Sequence, residues 1–464
     1  MFNKVLVANR GEIAVRIIRA LRELDIYSVA VYSTADKEAL HTELADHAIC
    51  IGGPKVLDSY ANPVAILSAA LSAGCDAIHP GYGFLSEKAD FVELCEEAGI
   101  TFIGPNSHII ETMGNKHQAR LTMIEAGVPV TPGSKGLVHS LEEAKAVASD
   151  IGYPLMIKAS DGGGGKGMRM VNEAQELKSL FLEAQAETKA IYGNKDLYIE
   201  KMISEARHIE VQLLGDHYGN VIHLGERDCS IQRNHQKVLE MAPAMDLNDS
   251  VRHDLCQAAV KACEALNYTN AGTVEFLVDK DQKFYFMEMN TRLQVEHPVS
   301  EMVTGVDIVK EQLFIAMGRP LTYKQEAITF NGFAIECRLN AEDPMNQFRP
   351  SSGHVSRLIL PSGGLGLRVE SCLYSDYTLP PFYDSMIAKI ITHQPTVEEA
   401  FAVMRRALVE VVVDGLTTNV ELLEALADSI EVMTNQFHTK TLETNFLPQW
   451  LNEMNETASQ LKER

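Results

Sequence analysis

"ASDGGGGKGM" occupies residues 159–168, and its flanks decide what kind of fold surrounds it. Gly162, Gly164 and Gly167 formally satisfy the G-x-G-x-x-G dinucleotide fingerprint, which needs a strand before it and a helix directly after it. Lys166 also points towards a P-loop, but Gly167 stands where a Ser or Thr must reach magnesium, and Ser160 stands where the first glycine belongs. The preceding "YPLMIKA" (153–159) and the following "GMRMV" (167–171) are both strand-like, and a helical pattern begins only with "NEAQELKSLFLEAQAE" (172–187). The glycines therefore join strand to strand, as the tip of a hairpin whose backbone N–H groups can close over phosphates. A surface hairpin without function is the alternative. Four consecutive glycines cost backbone entropy on ordering, which favours a flap that opens and shuts.

Upstream of this flap, "KVLVA" (4–8), "YSVAVYS" (27–33), "AIH" (77–79) and "TFIG" (101–104) read as strands, and helical patterns at 11–24, 61–74 and 88–98 alternate with them. Such alternation predicts a parallel, Rossmann-like α/β sheet. Its first strand–helix turn, "ANRGE", holds one glycine, so no NAD site is expected there. Beyond the flap, "DLYIEKMI" (196–203), "HIEVQLLGD" (208–216) and "GNVIHLGERD" (219–228) read as strands, with a helix near 249–266. Past residue 330 the pattern becomes α+β: antiparallel strands at 331–343, 353–360 and 368–373, then helices at 397–410 and near 418–428.

The 464 residues suffice for about three domains. A formal charge of −22 argues against a nucleic-acid binder but leaves room for a local basic pocket. The eight cysteines form no C-x-x-C pair and read as reduced, mostly buried thiols. The N-terminus has no signal-peptide pattern and no apolar run spans a membrane, so the default expectation is a cytoplasmic protein.

"GTVEFLVDKDQKFYFMEMN" (272–290) predicts two strands around a tight turn at 279–282. That turn sets Glu275 opposite Phe286 and Glu288 opposite Thr273. Glu275, Glu288 and Asn290 then share one face as diagonal neighbours, and Val274, Phe276, Val278, Tyr285, Met287 and Met289 form the core face. Two carboxylates on an otherwise apolar pair of strands suit magnesium, which shares carboxylates with substrate phosphates; an exposed, solvated face is the alternative. In the following "NTRLQVEHP" (290–298), Arg292 offers a planar fork for an oxyanion and Glu296 a nearby base, with a structural Arg–Glu pair as the plain alternative. "RDCSIQRNHQK" (227–237) gathers Arg227, Arg233, His235 and Lys237, which reads either as an anion pocket or as a solvated charge run. Lys116 and Lys158 flank the presumed nucleotide site, whereas His79 and His297 match no metal spacing and read as structural.

Together "ANRGEIAVRI", "HPGYGFLSE", "MGNK", "GGGGKGMR", "ERDCSIQR", "EMNTRLQVEHPV" and "ECRLNAEDP" run in order along nearly the whole chain. They resemble the ATP-grasp enzymes and, more closely, the biotin carboxylase component of biotin-dependent carboxylases. The resemblance implies a multidomain α/β and α+β chain. Its parts are a Rossmann-like pre-ATP-grasp domain (1–112), an ATP-grasp domain (113–330) with a mobile lid (130–203), and a C-terminal α+β domain (331–446). The glycine loop is then a lid over ATP phosphates.

The same resemblance implies roles by position. Lys116, Lys158, Gly163, Gly164, Gly165 and Lys166 hold ATP phosphates; Glu200, Lys201, Met202 and Ile203 meet adenine; His208, Gln232 and His235 make further nucleotide contacts. Glu275, Glu288 and Asn290 hold Mg2+ or Mn2+. Lys237, Arg292, Gln294 and Val295 bind bicarbonate, Glu296 is the general base, and Tyr82 and Arg338 meet biotin. Bicarbonate is phosphorylated to carboxyphosphate, which yields CO2 for biotin. Asp161, Met202, Asn234 and Met241 depart from the pattern without removing a catalytic group.

No Met-Lys-Met biotinyl segment stands in the sequence. The expectation is a free-standing subunit of bacterial acetyl-CoA carboxylase, working with a biotin carboxyl carrier protein and carboxyltransferase subunits. The alternatives are a subunit for another acyl-CoA and a silent ATP-binding scaffold. A homodimer is expected, with Arg19 and Glu23 as contact residues or as a local i,i+4 ion pair.

Overall fold

The structure is a computed structural model that describes residues 1–160 and 168–462. Its N-terminal part is a five-stranded parallel sheet flanked by helices. The central strand Lys4–Val7 pairs with Tyr27–Ser33 on one side and Ala77–His79 on the other. The edge strand His47–Gly52, which the sequence reading omits, completes one side and Thr101–Phe102 the other. Helix Gly11–Glu23 presents Ile13, Ile17, Ile18 and Leu21 to a core that also takes Leu293, Ile308 and Leu313 from later in the chain. This first unit is therefore packed onto the second by the same apolar side chains that close its own sheet.

The flap region folds as predicted around a three-stranded antiparallel sheet. Leu155–Ala159 lies between Arg169–Val171 and Leu197–Lys201, with Leu155 opposite Val171 and Ile157 opposite Arg169. The hairpin that the flanks of the glycine loop imply is thus present. Its tip, with Asp161, Gly163, Gly164, Gly165 and Lys166, lies outside the described residues. Helices Leu141–Ile151 and Leu177–Tyr192 cover one face through Ala144, Ala148, Phe181 and Ala184.

The scaffold of the site is an eight-stranded, all-antiparallel sheet. Phe284–Asn290, Asn270–Val278, Arg207–Gly215, Val221–Arg233 and Gln236–Ala242 follow one another, and the sheet continues without a break into Phe333–Asn340, Met386–Gln394 and Leu367–Ser371. Leu239 pairs with Cys337 at the junction, so three strands after residue 330 extend this sheet, whereas the expected 353–360 strand is split into Gly353–His354 and Arg357–Ile359, which pair with Thr378–Leu379 and Val412–Asp414 in separate two-stranded ladders. Strand Met386–Gln394 is absent from the sequence reading. Its apolar residues, Ile387, Ala388, Ile390 and Ile391, fall on both faces, as in a strand buried on both sides.

The register of the 272–290 hairpin differs from the expected one. Glu275 stands directly opposite Glu288, Thr273 opposite Asn290, and Val278 opposite Phe284. The turn takes five residues, closed by Asp279 N–H donating to the Lys283 carbonyl, with Gln282 at φ +61. A bulge at Met287 then restores the alternation, because the pairing steps from Phe276–Phe286 to Glu275–Glu288. Consequently Phe284 and Phe286 join the core with Val274, Phe276, Val278 and Met289, in place of Tyr285 and Met287.

Candidate active site

The corrected register builds one transverse row of side chains across four strands: Glu288 beside Glu275, Glu275 beside Glu210, and Glu210 beside Arg227. Three carboxylates in a row repel one another unless cations intervene. Two cations do so. Arg227, with no exposed side-chain surface, donates to Glu210 Oε1 at 2.7 Å, Gln212 Oε1 at 2.8 Å, Ser300 Oγ at 3.0 Å and Thr273 Oγ1 at 3.2 Å. Lys237 comes from the next hairpin. Its Nζ lies 2.6 Å from Glu210 Oε2 and 3.2 Å from Glu275 Oε1, and also donates to Glu296.

This corrects the reading of 227–237 as one anion pocket or one charge run. Alternation along the strand sends Arg227 into the core, while the Arg233 guanidinium stacks on Phe348 at 3.7 Å. Asn234 and His235, at φ +49 and +61, form the exposed tip of the turn. Arg227 holds the Glu210 end of the acidic row from within the core, and of the four side chains only Lys237 joins Glu210, Glu275 and Glu296.

Glu296 sits just before helix His297–Thr304, fully buried. It is gripped by Lys237 through Oε1 and by Arg338 Nη2 at 3.0 Å through Oε2. Burial alone would raise its carboxyl, but Lys237, Arg338 and Arg227 together outweigh burial and hold it well below the usual carboxylate range. Burial likewise opposes the Lys237 charge, yet the surrounding Cys229, Glu210, Glu275 and Glu296 keep it well above the ordinary lysine value. Arg338 is anchored by Glu240 Oε1 at 2.5 Å.

Arg292 is half-buried and forked over three side-chain acceptors, Glu87 Oε2 at 2.8 Å, Gln294 Oε1 at 2.8 Å and Asn290 Oδ1 at 2.9 Å, and it also donates to the Leu293 carbonyl at 3.2 Å. The other ends of those amides point inward, since Asn290 Nδ2 and Gln294 Nε2 donate to Glu275 Oε1 at 2.8 and 3.0 Å. His208 Nε2 lies 3.0 Å from Glu275 Oε2; burial opposes its protonation, and the Glu275 charge outweighs that and raises its pKa.

Glu275 therefore carries contacts on both oxygens, whereas the half-buried Glu288 has, among the described residues, a single ion-pair partner, Lys116 at 3.8 Å. Desolvation first, and then the charge of Glu275, raises the Glu288 carboxyl. A carboxylate held high by its neighbour, with an open side, fits a hard divalent cation shared with phosphates. Of the three expected metal donors, Glu288 has the open oxygens, while Glu275 and Asn290 Oδ1 would have to exchange contacts with Lys237, Gln294 and Arg292 to take such an ion.

The residues expected to meet nucleotide fall into two groups. Lys158 and Glu200 form an ion pair on the flap sheet, and Lys201 Nζ donates to the Tyr153 carbonyl at 2.9 Å. Met202 and Ile203 follow as a half-buried connector. Gln232 is buried and donates to the Cys229 carbonyl at 3.2 Å, near His208. Tyr82 lies apart from this acidic row and donates to Glu12. Val295 is half-buried, with its carbonyl bound by Lys389 at 2.8 Å.

Five residues that the structure ties to the site were not singled out from the sequence: Glu12, Glu87, Glu210, Glu240 and Lys389. Glu210 had a visible signal, because His208, Glu210 and Gln212 alternate with Ile209, Val211 and Leu213, a polar stripe on a buried strand. Arg19 and Glu23 do not pair with each other. Arg19 reaches Glu370 at 3.4 Å and Glu23 reaches Lys310 at 2.6 Å.

Known proteins share this architecture. Three family descriptions match in order: "Biotin carboxylase, N-terminal domain" over residues 1–110, "Carbamoyl-phosphate synthase L chain, ATP binding domain" over 115–324, and "Biotin carboxylase C-terminal domain" over 336–444. Biotin carboxylase 1 of Bacillus subtilis is 54% identical over 445 residues, covering 96% of this chain and 99% of that protein. The biotin carboxylase–ATP complex from Campylobacter jejuni superposes with a TM-score of 0.91 at 46% identity, covering 95% of this chain and 98% of that one. The biotin carboxylase domain dimer of the Hydrogenobacter thermophilus 2-oxoglutarate carboxylase, solved with MgADP, ADP and bicarbonate, gives a TM-score of 0.90 at 50% identity, covering 96% and 97%. With the glutamate row, the Lys237–Glu296–Arg338 cluster and full-length similarity in agreement, the chain belongs to the biotin carboxylase family of ATP-grasp ligases.

Proposed function

We propose that this chain carboxylates biotin borne on a separate biotin carboxyl carrier protein, with ATP, Mg2+ (or Mn2+) and bicarbonate, as the first half-reaction of an acetyl-CoA carboxylase feeding fatty acid synthesis. The carrier and carboxyltransferase subunits are its partners, a homodimer is its working form, and the cytoplasm is its compartment. The dimeric Hydrogenobacter relative supports the homodimer. Among the described residues no helix is long and apolar enough to cross a membrane.

One observation carries the chemistry: the Glu296 carboxylate is bracketed by Lys237 on one oxygen and Arg338 on the other. Lys237 faces the acidic row, where Arg292, Gln294 and the Val295 backbone would receive bicarbonate. Arg338 faces the biotin side. With both cations on it, Glu296 stays ionised and is a weak base. Bicarbonate draws on Lys237 and Arg292, and the cation's hold on Glu296 relaxes, so the carboxylate gains basicity where a proton must leave. The γ-phosphoryl group then passes to the bicarbonate oxygen, giving carboxyphosphate and ADP. Lys116, Lys158 and the Gly163–Gly165 loop with Lys166 offset phosphate charge, and closure of the flap excludes water. Glu200, Lys201, Met202 and Ile203 seat the adenine, with His208, Gln232 and His235 towards the nucleotide. A cation on Glu275, Glu288 and Asn290 would supply charge neutralisation at the phosphates. Carboxyphosphate yields CO2 and phosphate, phosphate takes the biotin N1′ proton, and Arg338 stabilises the enolate-like ureido oxygen beside Tyr82.

The test is ADP release from Mg-ATP and bicarbonate with and without free biotin, with Arg338→Ala in parallel. Stimulation by biotin that the variant loses supports the reading. ADP release that ignores biotin would remove the Arg338 assignment. The 2-oxoglutarate carboxylase relative, at 50% identity, supports a second reading for the acceptor. Reconstitution with carrier and carboxyltransferase, offered acetyl-CoA or 2-oxoglutarate, decides between them by the mass of the product.

A further inference from the structure

The strap Gln294–Val295–Glu296 carries both an anion-binding amide and the base, yet it lies between two helical and strand elements without belonging to either. Two buried side chains fix its peptide planes. His297 Nδ1 donates to the Gln294 carbonyl at 2.7 Å, and Lys389 Nζ donates to the Val295 carbonyl at 2.8 Å. A peptide unit is planar, so the Val295 carbonyl and the Glu296 N–H turn together. Whatever holds that carbonyl also sets the direction in which the Glu296 side chain leaves the backbone.

Lys389 is unusual for this task. Its side chain has no exposed surface, and it comes from strand Met386–Gln394 in the C-terminal part, in register with Arg338. Its second neighbour is Glu12, 3.2 Å away and equally buried, at the start of the first helix of the N-terminal unit. Glu12 in turn accepts from the Tyr82 hydroxyl. Hence one unbroken contact chain, Tyr82–Glu12–Lys389–Val295, joins all three parts of the molecule at the backbone of the base.

We propose that Lys389 is a positioning residue that orients the Val295–Glu296 peptide, and that Glu12 serves to keep its charge in the dry interior. The inference rests on the reading of this strap as the bicarbonate site. A buried ion pair whose only role is to hold the units together is the competing account, and the two accounts differ in what happens when both charges are removed.

Full-length Lys389→Met, Glu12→Gln, the double variant Lys389→Met/Glu12→Gln and Gln294→Ala are compared by bicarbonate- and ATP-dependent ADP release with biotin, and by thermal melting. Lys389→Met is expected to lower kcat/KM for bicarbonate by roughly 10- to 100-fold, the cost of a misplaced catalytic group, with the KM for ATP held within about twofold. The double variant is expected to recover part of the melting temperature and to keep the bicarbonate defect. Neither Lys389 nor Glu12 is then left without the other, while the buried Glu336, whose carboxyl Lys389 also holds down, loses that cation. Recovery of bicarbonate kcat/KM in the double variant overturns the inference, because Lys389 would then only neutralise Glu12. Should the double variant not fold, Glu12→Gln alone decides, because the Lys389 amine donates to the Val295 carbonyl whether charged or neutral: a loss as large as that of Lys389→Met overturns the inference, and a loss several-fold smaller supports it. Gln294→Ala separates the two levels. If it raises the bicarbonate KM while Lys389→Met behaves as wild type, only the positioning role fails. If Gln294→Ala leaves the bicarbonate KM unchanged, the bicarbonate assignment fails and takes the inference with it.

Discussion

Replacing Arg227 with methionine tests whether the acidic row is held together by a buried cation and not by substrate. The guanidinium makes four side-chain hydrogen bonds in a site without solvent, and its closest charged partner is Glu210, also without exposed surface. Removing one member of a buried ion pair costs about 3–5 kcal/mol, because the remaining charge has no water to turn to. Glu210 retains Lys237 at 2.6 Å, which places the expected loss at the lower end, about 3 kcal/mol. With a urea slope of about 3 kcal/mol per molar, the unfolding midpoint falls by about 1 M. Arg227→Met/Glu210→Gln removes the orphaned charge as well and should recover at least half of that shift. The assay is urea unfolding followed by circular dichroism without ligands, so that nucleotide binding does not mask the effect. A single variant within about 1 kcal/mol of wild type, or a double variant no better than the single, would falsify the account of Arg227 as the structural anchor of Glu210.

Glu240 supplies a pH prediction. Burial, opposed by Arg338 and aided by Glu296, pushes its carboxyl from 4.5 up to about 7. An acid raised in the folded state contributes stability that is full below its unfolded pKa and is lost as the pH rises through its folded pKa. The wild type should lose stability between pH 4.5 and about 7 from this group, and Glu240→Gln should flatten that part of a pH series of urea melts; an unaltered slope refutes it. Glu288→Gln removes the carboxylate with the open side, so the Mn2+ concentration for half-maximal binding in the presence of ADP should rise about tenfold or more, read by electron paramagnetic resonance of free Mn2+; an unchanged titration places the metal elsewhere. Gly133→Ala puts a methyl 2.4 Å from the Ile199 carbonyl and 2.9 Å from Glu200 Cα. Since backbone must shift, a destabilisation of about 1–3 kcal/mol is expected, with a raised KM for ATP and an unmoved KM for bicarbonate; equal rises in both would separate Gly133 from the nucleotide strand.

Local pattern carried much of the fold. Continuous apolar runs located the parallel strands, which are buried on both faces, and period-2 and period-3.6 stretches located the helices between them, the flap hairpin and part of the antiparallel sheet after residue 330, where an element buries one face. The family resemblance supplied the expected site residues, several of them in one short stretch, such as Asn290, Arg292, Gln294 and Glu296. What failed was what periodicity does not encode. The five-residue turn and the bulge at Met287 cost the chain nothing in composition, yet together they move Glu288 from a diagonal position to one directly opposite Glu275 and exchange Tyr285 and Met287 for Phe284 and Phe286 in the core.

The residues that hold the site from behind were illegible for a different reason. Lys389 stands in an apolar run, residues 386–391, that marks its strand as buried, but nothing in sequence pairs it with Glu12, 377 positions away. Arg227 and Lys237 look alike within one basic stretch, but strand alternation and sheet order send the first into a polar core contact and bring only the second to Glu296. By itself, then, the sequence determined most of the strands and helices, though not His47–Gly52 or Met386–Gln394, and the side chains expected to do the chemistry, since these follow from local pattern and contiguous motifs. Tertiary structure alone decided which charges neighbour one another, because ion pairing depends on strand register and on contacts between distant elements, and burial sets how strongly each pair acts.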